Sequence, residues 1–328
     1  YATHLLDYKY LRGLSLIILP LAIFLLLITA LQGNEIDGAN ASRWISIPII
    51  NISFQPSSLA SIFLLIYISN YLSKVHEKKI NFNNSVFRLW LPILLVVMLV
   101  LPSNFSTSFM IFSLSLILIF IGQYPIKKIV LIIFSGIILS GSFVGLSKTY
   151  PDLVPNRIDT WSNRIENFIN PSLDNDSNYQ INRAKAAIAS GSIFGVGAGK
   201  SSMKYILPQS TSDFIFSIVT EEYGLFVALI ILLLYVILLF RIVIVSQKSN
   251  NYFGKLLALA VGLPIVFQAL INMGVAVQLF PVTGQPLPLI STGGTSIWTT
   301  FFAFGVLLSV SRNNANIMEL DLSKNVNE

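Results

Sequence analysis

The stretch that decides the fold is Glu222-Tyr-Gly-Leu-Phe-Val-Ala-Leu-Ile-Ile-Leu-Leu-Leu-Tyr-Val-Ile-Leu-Leu-Phe-Arg241. Charged residues occur only at its two ends, and about 20 apolar residues are enough to cross ~30 Å of hydrocarbon as a helix. A helix that is apolar on every side is either deeply buried or membrane-spanning. The stretch therefore predicts a helix that crosses a membrane.

Runs of the same kind extend along the whole chain in both directions. The predicted spans are residues 13–31, 56–73, 86–102, 105–122, 126–146, 222–241, 255–277 and 294–310. Of the 328 residues, 54% are hydrophobic and 11% are charged, whereas a soluble domain has about 25% charged residues. The sequence predicts an all-α fold, a polytopic membrane helix bundle with about eight spans.

The basic residues predict how the bundle is oriented. Lys and Arg cluster at alternate connections, and the short connections of the opposite set contain only Arg43. Since Lys and Arg accumulate on the cytoplasmic side, the loop over residues 147–212 is predicted to be extracytoplasmic. We expect one membrane domain over residues 1–328, with this loop inside it. The first residue is Tyr1, so we also expect that the natural beginning is missing.

Composition excludes several other classes of protein. With no cysteine there is no disulfide framework and no thiolate metal site. The net charge of +6 is spread over span ends rather than gathered in one run. This distribution is typical of a membrane protein and does not indicate a nucleic-acid partner.

The outer loop concentrates aromatic, basic and glycine residues. It contains Arg164, Tyr179 and Gln180, followed by the glycine-rich run Phe194-Gly-Val-Gly-Ala-Gly-Lys200-Ser. Backbone N–H groups of such a run can surround an anion, with Lys200 supplying charge. A nucleotide P-loop is excluded, because its first glycine would fall on Phe194. The alternative is a glycine-rich turn at a helix end, which needs no ligand.

Asp213 begins the segment that leads into the long apolar run. A helix from 213 to 241 would be about 43 Å long, so Asp213 is predicted at or above the outer membrane surface. Ser217 and Glu221 follow at four-residue steps and share its helix face. Alternatively, Asp213 is a helix N-cap, and Glu221 belongs to a solvated helix end.

Other polar residues lie next to or inside apolar runs, where they are costly. These candidates are Arg43, Trp44, Gln55, Gln268, Asn272 and Ser291. Gln268 and Asn272 share a helix face and should point into the bundle. Hydrogen bonding between helices is the ordinary alternative to a role in substrate binding.

Six blocks in one order together resemble a known family. They are Gly38-Ala-Asn-Ala-Ser-Arg-Trp-Ile45, Gln55-Pro-Ser57, Tyr179-Gln180 with Ala187-Ile-Ala-Ser-Gly191, Phe194-Gly-Val-Gly197, Leu207-Pro208 with Asp213-Phe-Ile-Phe216 and Glu221-Glu-Tyr-Gly224, and Pro281-Val-Thr-Gly-Gln-Pro-Leu-Pro-Leu-Ile-Ser-Thr-Gly-Gly-Thr-Ser296. This pattern closely resembles the SEDS family (shape, elongation, division and sporulation) of bacterial cell-wall glycosyltransferases. The family has ten spans, so the resemblance implies that the first two are absent. The block at Pro281 is more similar to the division branch, FtsW, than to the elongation branch, RodA.

The resemblance implies an activity and a site. The activity is inverting polymerisation of lipid II into glycan strands at the outer face of the bacterial cytoplasmic (inner) membrane, with Asp213 as the catalytic carboxylate. The implied substrate-binding residues are Arg43, Trp44, Gln55, Arg164, Tyr179, Gln180, Lys200, Glu221, Gln268, Asn272 and Ser291. A divalent cation, Mg²⁺ or Mn²⁺, is a candidate ligand of Asp213, and no organic cofactor is expected. The implied partners are a class B penicillin-binding transpeptidase, other division proteins and membrane lipid.

Three alternatives remain at this point. A RodA-type elongation polymerase would perform the same reaction. A lipid II transporter would use the basic loop and the polar groups Gln268 and Asn272 without making polymer. A non-catalytic scaffold for division proteins would not depend on Asp213.

Overall fold

The computed structural model describes residues 2–32, 44–47, 52–76, 82–149, 166, 168–169 and 176–326. The chain divides into two compact units. The first contains Tyr1–Pro125, Leu238–Ile265 and Gly294–Glu328, and the second contains Ile126–Ile237 and Val266–Gly293. Arg43 and Arg164 lie outside the described residues, as does most of the stretch from 150 to 175.

The first unit is built mainly of apolar helices. Within the described residues they are α1 (Ala2–Leu5), a 3₁₀ turn (Tyr8–Tyr10), α2 (Leu11–Gln32), α3 (Pro56–Val75), α4 (Phe82–Ser85), a π-helical turn (Val86–Trp90), α5 (Leu91–Val100) and α6 (Phe105–Ile121). Helix α3 packs against α2 and α6, and its side chains Leu64, Ile66 and Ile68 are fully buried. This helix forms the centre of the unit.

A short hairpin precedes α3 in the first unit. Strands β1 (Ile45–Ile47) and β2 (Ile52–Phe54) are antiparallel, with Ile45 opposite Phe54 and Ile47 opposite Ile52. Pro56 lies at the first helical position of α3, where its missing N–H has no helical partner to lose. The hairpin was not predicted, although the all-α class is confirmed by the helices around it.

The second unit carries fewer helices, joined by longer loops. In the described residues they are α7 (Ile126–Thr149), α8 (Asp176–Gly191), a 3₁₀ turn (Met203–Tyr205), the part of α9 (Ile215–Lys248) up to Ile237, and the part of α10 (Tyr252–Ala276) from Val266. The rest of α9 and α10 belongs to the first unit, together with α11 (Gly294–Val326). Of the predicted loop, the structure describes 147–149, 166, 168–169 and 176–212.

All eight predicted spans lie in helices, apart from at most two residues at their ends, which confirms the predicted membrane bundle. Among the described residues, five helices are long and apolar enough to cross a membrane, by length and composition: Tyr8–Ala30, Pro56–Val75, Ile215–Lys248, Tyr252–Ala276 and Gly294–Asn314. Two shorter apolar stretches, Val86–Val100 and Phe105–Ile121, correspond to the third and fourth predicted spans. The chain is a multi-pass membrane protein.

Helix α9 begins at Ile215, within two residues of the helix considered from 213 to 241, and it is broken at Gly224, which was not predicted. Gly224 has φ 82° and ψ 173°, a backbone conformation that is essentially restricted to glycine. Two helical pieces therefore meet at Gly224, one on either side of the break.

Candidate functional site

Asp213 lies in the turn immediately before α9 and is half-buried. Its N–H and that of Phe214 both donate to the carbonyl of Gln209, at 3.1 and 3.2 Å. The ring of Phe214 is buried in a cluster with Ala184 of α8, Leu207, Ile218 of α9 and Val275 of α10. This cluster anchors the residue that follows Asp213 and so fixes the turn on one side.

Three successive carbonyl groups of the same turn accept hydrogen bonds from the α10 end and the loop after it. Thr292 donates to Thr211 O through both its N–H and its hydroxyl, each at 3.0 Å. The hydroxyl of Ser291 donates to Ser212 O at 2.6 Å. The side-chain amide of Asn272 donates to Asp213 O at 2.7 Å. Together these bonds fix the backbone that carries the Asp213 carboxylate.

The loop that supplies these donors, residues 281–293, is itself held in place. The Ser291 hydroxyl accepts a bond from Leu287 N–H at 2.6 Å. Gln268 donates through Nε2 to Pro286 O at 2.9 Å, and the Tyr235 hydroxyl donates to Pro288 O. The loop is therefore a fixed support for the turn that contains Asp213.

Asn272 is 1% exposed, and the orientation of its amide follows from its partners. The same Nδ2 also donates to Gln285 O at 2.7 Å. Because both partners are carbonyl oxygens, the nitrogen must face them and the oxygen must face away. That oxygen, Oδ1, has no hydrogen-bond partner among the residues that the structure describes.

Gly284 approaches the carboxylate of Asp213 from this loop. A Cβ atom at position 284 would lie 3.5 Å from Asp213 Oδ2. Gly284 has φ +67°, a conformation that side-chain-bearing residues rarely adopt. A side chain at position 284 would therefore lie against the Asp213 carboxylate.

Glu221 is 1% exposed and makes its contacts within the chain. Its carboxylate accepts from the hydroxyl of Ser201, from the N–H and hydroxyl of Ser202 at 3.1 and 3.0 Å, and from Met203 N–H at 3.4 Å. These four hydrogen-bond donors replace the water molecules that would solvate the carboxylate if it lay at an exposed helix end. The alternative that Glu221 lies at a solvated helix end is therefore wrong. The role of Glu221 as a substrate contact stays a prediction.

The glycine-rich run forms a turn against the break in α9. Val196 N–H donates to Glu221 O at 2.9 Å, and Gly197 N–H donates to Glu222 O at 3.0 Å. In the other direction, Leu225 N–H donates to Ser192 O at 2.9 Å and Phe226 N–H to Ile193 O at 3.3 Å. Because the N–H groups of Gly195, Val196 and Gly197 are used internally, the structure favours the alternative of a glycine-rich turn, and an anion site at Lys200 stays a prediction.

The remaining predicted residues of the second unit lie mostly at its surface. Tyr179 is exposed on α8, and the guanidinium of Arg183 lies 5.0 Å from the centre of its ring. Gln180 is half-buried next to it, and Lys200 is exposed after the glycine-rich turn. These three side chains are available to a ligand, and their role as substrate contacts stays a prediction.

Trp44 and Gln55 belong to the first unit. Trp44 is half-buried immediately before β1. The half-buried Gln55 precedes α3, and its N–H donates to the Thr295 hydroxyl at 3.3 Å. The structure thus brings Asp213 together with Asn272 and Ser291 within the second unit, and it describes Trp44 and Gln55 separately.

Sequence reasoning missed several residues that shape the site. Ser201, Ser202 and Thr292 each bond to a predicted residue or to its turn. A pair of serines beside a lysine in a loop has no periodicity that would indicate a buried partner twenty positions later. Thr292 lies next to the predicted Ser291, and that adjacency was the only available signal.

A divalent cation at Asp213 would find one protein carboxylate there. Among the described residues, no group of three or more His, Cys, Asp or Glu side chains could hold a metal ion. This arrangement fits Mg²⁺ better than Zn²⁺, since Mg²⁺ is often bound by one or two carboxylates together with substrate phosphates.

Known proteins resemble this chain over most of its length. It is 33% identical to the probable peptidoglycan glycosyltransferase FtsW of Enterococcus hirae, covering 95% of this chain and 77% of the relative. It is 35% identical to the protein of the same name in Buchnera aphidicola subsp. Schizaphis graminum, covering 90% and 81%. Stage V sporulation protein E of Bacillus subtilis is 30% identical, covering 93% and 81%.

Solved structures resemble the fold in the same way. A chain from a study entitled "Structural coordination of polymerization and crosslinking by a peptidoglycan synthase complex" matches with a TM-score of 0.73 and 25% identity, covering 95% of this chain and 85% of that one. The rod shape determining protein RodA of Thermus thermophilus matches with a TM-score of 0.64 and 23% identity, covering 95% and 82%. The model of the FtsW, RodA and SpoVE family, described as cell cycle proteins, matches residues 1–316. The resemblance to the SEDS family is therefore confirmed, and the chain belongs to this family of FtsW, RodA and SpoVE cell cycle proteins.

Proposed function

We propose that this chain is a peptidoglycan glycosyltransferase that polymerises lipid II into glycan strands during cell division. Relatives at 33% and 35% identity are named probable peptidoglycan glycosyltransferase FtsW, and this name favours the division role over RodA-type elongation. The observation that carries the proposal is the half-buried Asp213, whose turn is fixed at three successive carbonyl groups.

The proposed reaction is a single inverting displacement. The 4-hydroxyl oxygen of the acceptor sugar bonds to the anomeric carbon of the donor, while the bond from that carbon to the pyrophosphate oxygen breaks. The electron pair of the broken bond leaves with undecaprenyl pyrophosphate, and the hydroxyl proton passes to the Asp213 carboxylate. A base that is already in position when the acceptor arrives supports this step by general base catalysis.

The departing pyrophosphate needs positive charge beside it. Lys200, which is exposed in the second unit, is a candidate to supply this charge. Arg43 and Arg164 are two further candidates, and both lie outside the described residues. We also propose that Asp213 binds a divalent cation, Mg²⁺ or Mn²⁺, which when bound would neutralise charge on phosphate oxygens. No organic cofactor is invoked, because the displacement transfers no electrons to or from the substrate.

The other candidates divide into two groups by their contacts. Tyr179 and Gln180, with Trp44 and Gln55 of the first unit, are proposed to contact the sugars or peptide of lipid II. Gln268, Asn272, Ser291 and Glu221 already bond to backbone or serine groups of the chain. We propose that this second group acts on the substrate through the position of the Asp213 turn and of its supporting segments.

We propose that Asp213 faces the outside of the bacterial cytoplasmic membrane, as the distribution of Lys and Arg predicts. In this orientation, the protein binds lipid II after lipid II has been transferred to the outer face of the membrane. A solved structure similar to this chain comes from a complex that coordinates polymerisation and crosslinking. By analogy we propose a class B penicillin-binding transpeptidase as partner, alongside other division proteins.

The proposal is tested by glycan-strand formation from purified lipid II in proteoliposomes. We expect polymer from the unchanged protein and a loss of at least ~100-fold in Asp213→Asn and Asp213→Ala, because general base catalysis contributes about that much. Glu222→Gln removes a neighbouring half-buried carboxylate and should retain activity. Equal polymer from all four proteins would exclude Asp213 as the base. Translocation of lipid II without any polymer would instead support the transporter.

A further inference from the structure

We propose that the segment 192–197 is embedded in the membrane at the level where α9 enters the hydrocarbon, with Ile193 and Phe194 in contact with lipid acyl chains. The inference is independent of the proposed enzymatic activity. It replaces the view of this segment as part of a water-exposed loop. Four observations carry it: the position of the charge-free part of α9, the backbone bonds at its break, the composition of the segment and the exposure of its side chains.

The charges on α9 indicate which part of the helix lies in hydrocarbon. Between Glu222 and Arg241 there is no Asp, Glu, Lys or Arg. The uncharged stretch would be about 27 Å long as a helix, close to the ~30 Å of a bilayer core. The end of the hydrocarbon therefore falls near Gly224, and Leu225 and Phe226 lie just inside it.

The segment is bonded to α9 at this same level. Ser192 O and Ile193 O accept from the N–H groups of Leu225 and Phe226, at 2.9 and 3.3 Å. A hydrogen bond fixes the two residues that it joins at nearly the same depth. Residues 192 and 193 thus lie at the depth of the first residues of the apolar run.

The bonds also explain why a broken helix is tolerated there. A break exposes N–H groups of the second helical piece and carbonyl groups of the first. In hydrocarbon each unpaired group costs several kcal/mol, so irregular backbone occurs only where other protein groups pair with it. The segment supplies two carbonyls to Leu225 and Phe226, and Val196 and Gly197 supply two N–H groups to the carbonyls of Glu221 and Glu222.

The composition of the segment suits this environment. No charged residue occurs from Ala186 to Gly199. The side chains of Phe194 and Ile193 are 86% and 59% exposed. Exposed side chains of this kind are costly in water. Ile193 and Phe194 continue the exposed apolar surface of Leu225 and Phe226, which are 47% and 63% exposed on the adjoining span.

Site-directed spin labelling tests this placement, and the chain suits the method because it contains no cysteine. Single variants Phe194→Cys, Leu225→Cys and Lys204→Cys would be labelled with a nitroxide. Each would be reconstituted into vesicles of phosphatidylethanolamine and phosphatidylglycerol. Collisions with oxygen, which concentrates in lipid, are compared with collisions with a water-soluble nickel chelate.

We expect labels at 194 and 225 to collide several-fold more with oxygen than with the chelate, and the exposed Lys204 position to show the reverse. A label at 194 that behaves like the one at 204 would overturn the proposal. So would a label at 194 that neither reagent reaches, because protein rather than lipid would then cover it. As a second measurement, a fluorophore on the same cysteine should be quenched by brominated acyl chains, and absence of quenching at 194 alone would also count against the proposal.

Discussion

Asn272 and Asp213 are joined by a 2.7 Å hydrogen bond from the side-chain amide of Asn272 to the main-chain carbonyl of Asp213. The contact acts on the backbone, so Asn272 fixes the main chain of Asp213, the proposed base, through its carbonyl group. This distinguishes a positioning residue from the substrate contact predicted from the sequence.

Replacing Asn272 should therefore slow the reaction more than it weakens binding. In Asn272→Leu the carbonyls of Asp213 and Gln285 lose their donor, and we expect kcat to fall by roughly tenfold to a hundredfold, equivalent to about 1.4 to 2.8 kcal/mol. Because no substrate contact is removed, KM for lipid II should change little. Steady-state polymerisation assays measure both constants. A raised KM with unchanged kcat would favour the substrate-binding role instead.

A methyl group at position 284 should shield the base. Gly284→Ala places a carbon 3.5 Å from Asp213 Oδ2, so we expect a strong loss of polymer. The same change also forces alanine into a left-handed conformation, which costs about 1 to 2 kcal/mol. Gly199→Ala controls for this cost, since Gly199 has φ +74° and a Cβ there would meet nothing within 4 Å. If both variants lose activity equally, backbone strain rather than shielding is responsible.

The carboxylate of Glu221 should be required for stability. Glu221→Gln keeps the size but turns an acceptor into an NH₂ donor that faces Ser201 and Ser202. We expect a loss of about 1 to 3 kcal/mol, as for other buried groups left unpaired. Unfolding in mixed detergent micelles measures the difference, and Glu222→Gln on the adjacent residue should stay within about 0.5 kcal/mol. Equal stability of the two variants would show that the serine contacts contribute little.

The break in α9 should not tolerate a side chain. A Cβ at Gly224 would lie 2.2 Å from Ile193 O, so Gly224→Ala must separate the helix from the 192–197 segment. We predict a lower midpoint of thermal unfolding and a poor yield of folded protein. Gly136→Ala is the matched control, because it adds a methyl to helix α7 with nothing within 4 Å. An unchanged midpoint for Gly224→Ala would mean that the two pieces are not held closely.

The sequence predicts those features of this protein that depend on composition over many residues. The eight spans follow from apolar runs, and the turns at Pro102 and Pro125 follow from proline and polar residues between them. Asp213 was found from the blocks around it. The partners of Glu221 were not predictable, because Ser201 and Ser202 meet it only through a turn that no periodicity encodes. The break at Gly224 was missed because a single glycine inside an apolar run does not by itself indicate a broken helix.

The backbone bonds across the break at Gly224 have a mechanical consequence. A segment bonded to the residues on both sides of a break restricts bending at that break, so the two pieces of α9 that meet at Gly224 are held together. The first piece, from Ile215 to Tyr223, then holds the Asp213 turn roughly 13 Å along the axis from the break. In the proposed reaction, the sugar is attached to a lipid carrier that sets its height above the bilayer. A carboxylate held by a fixed helix stays at one height above the bilayer. A carboxylate on a flexible loop would have to reach that height again in every catalytic cycle.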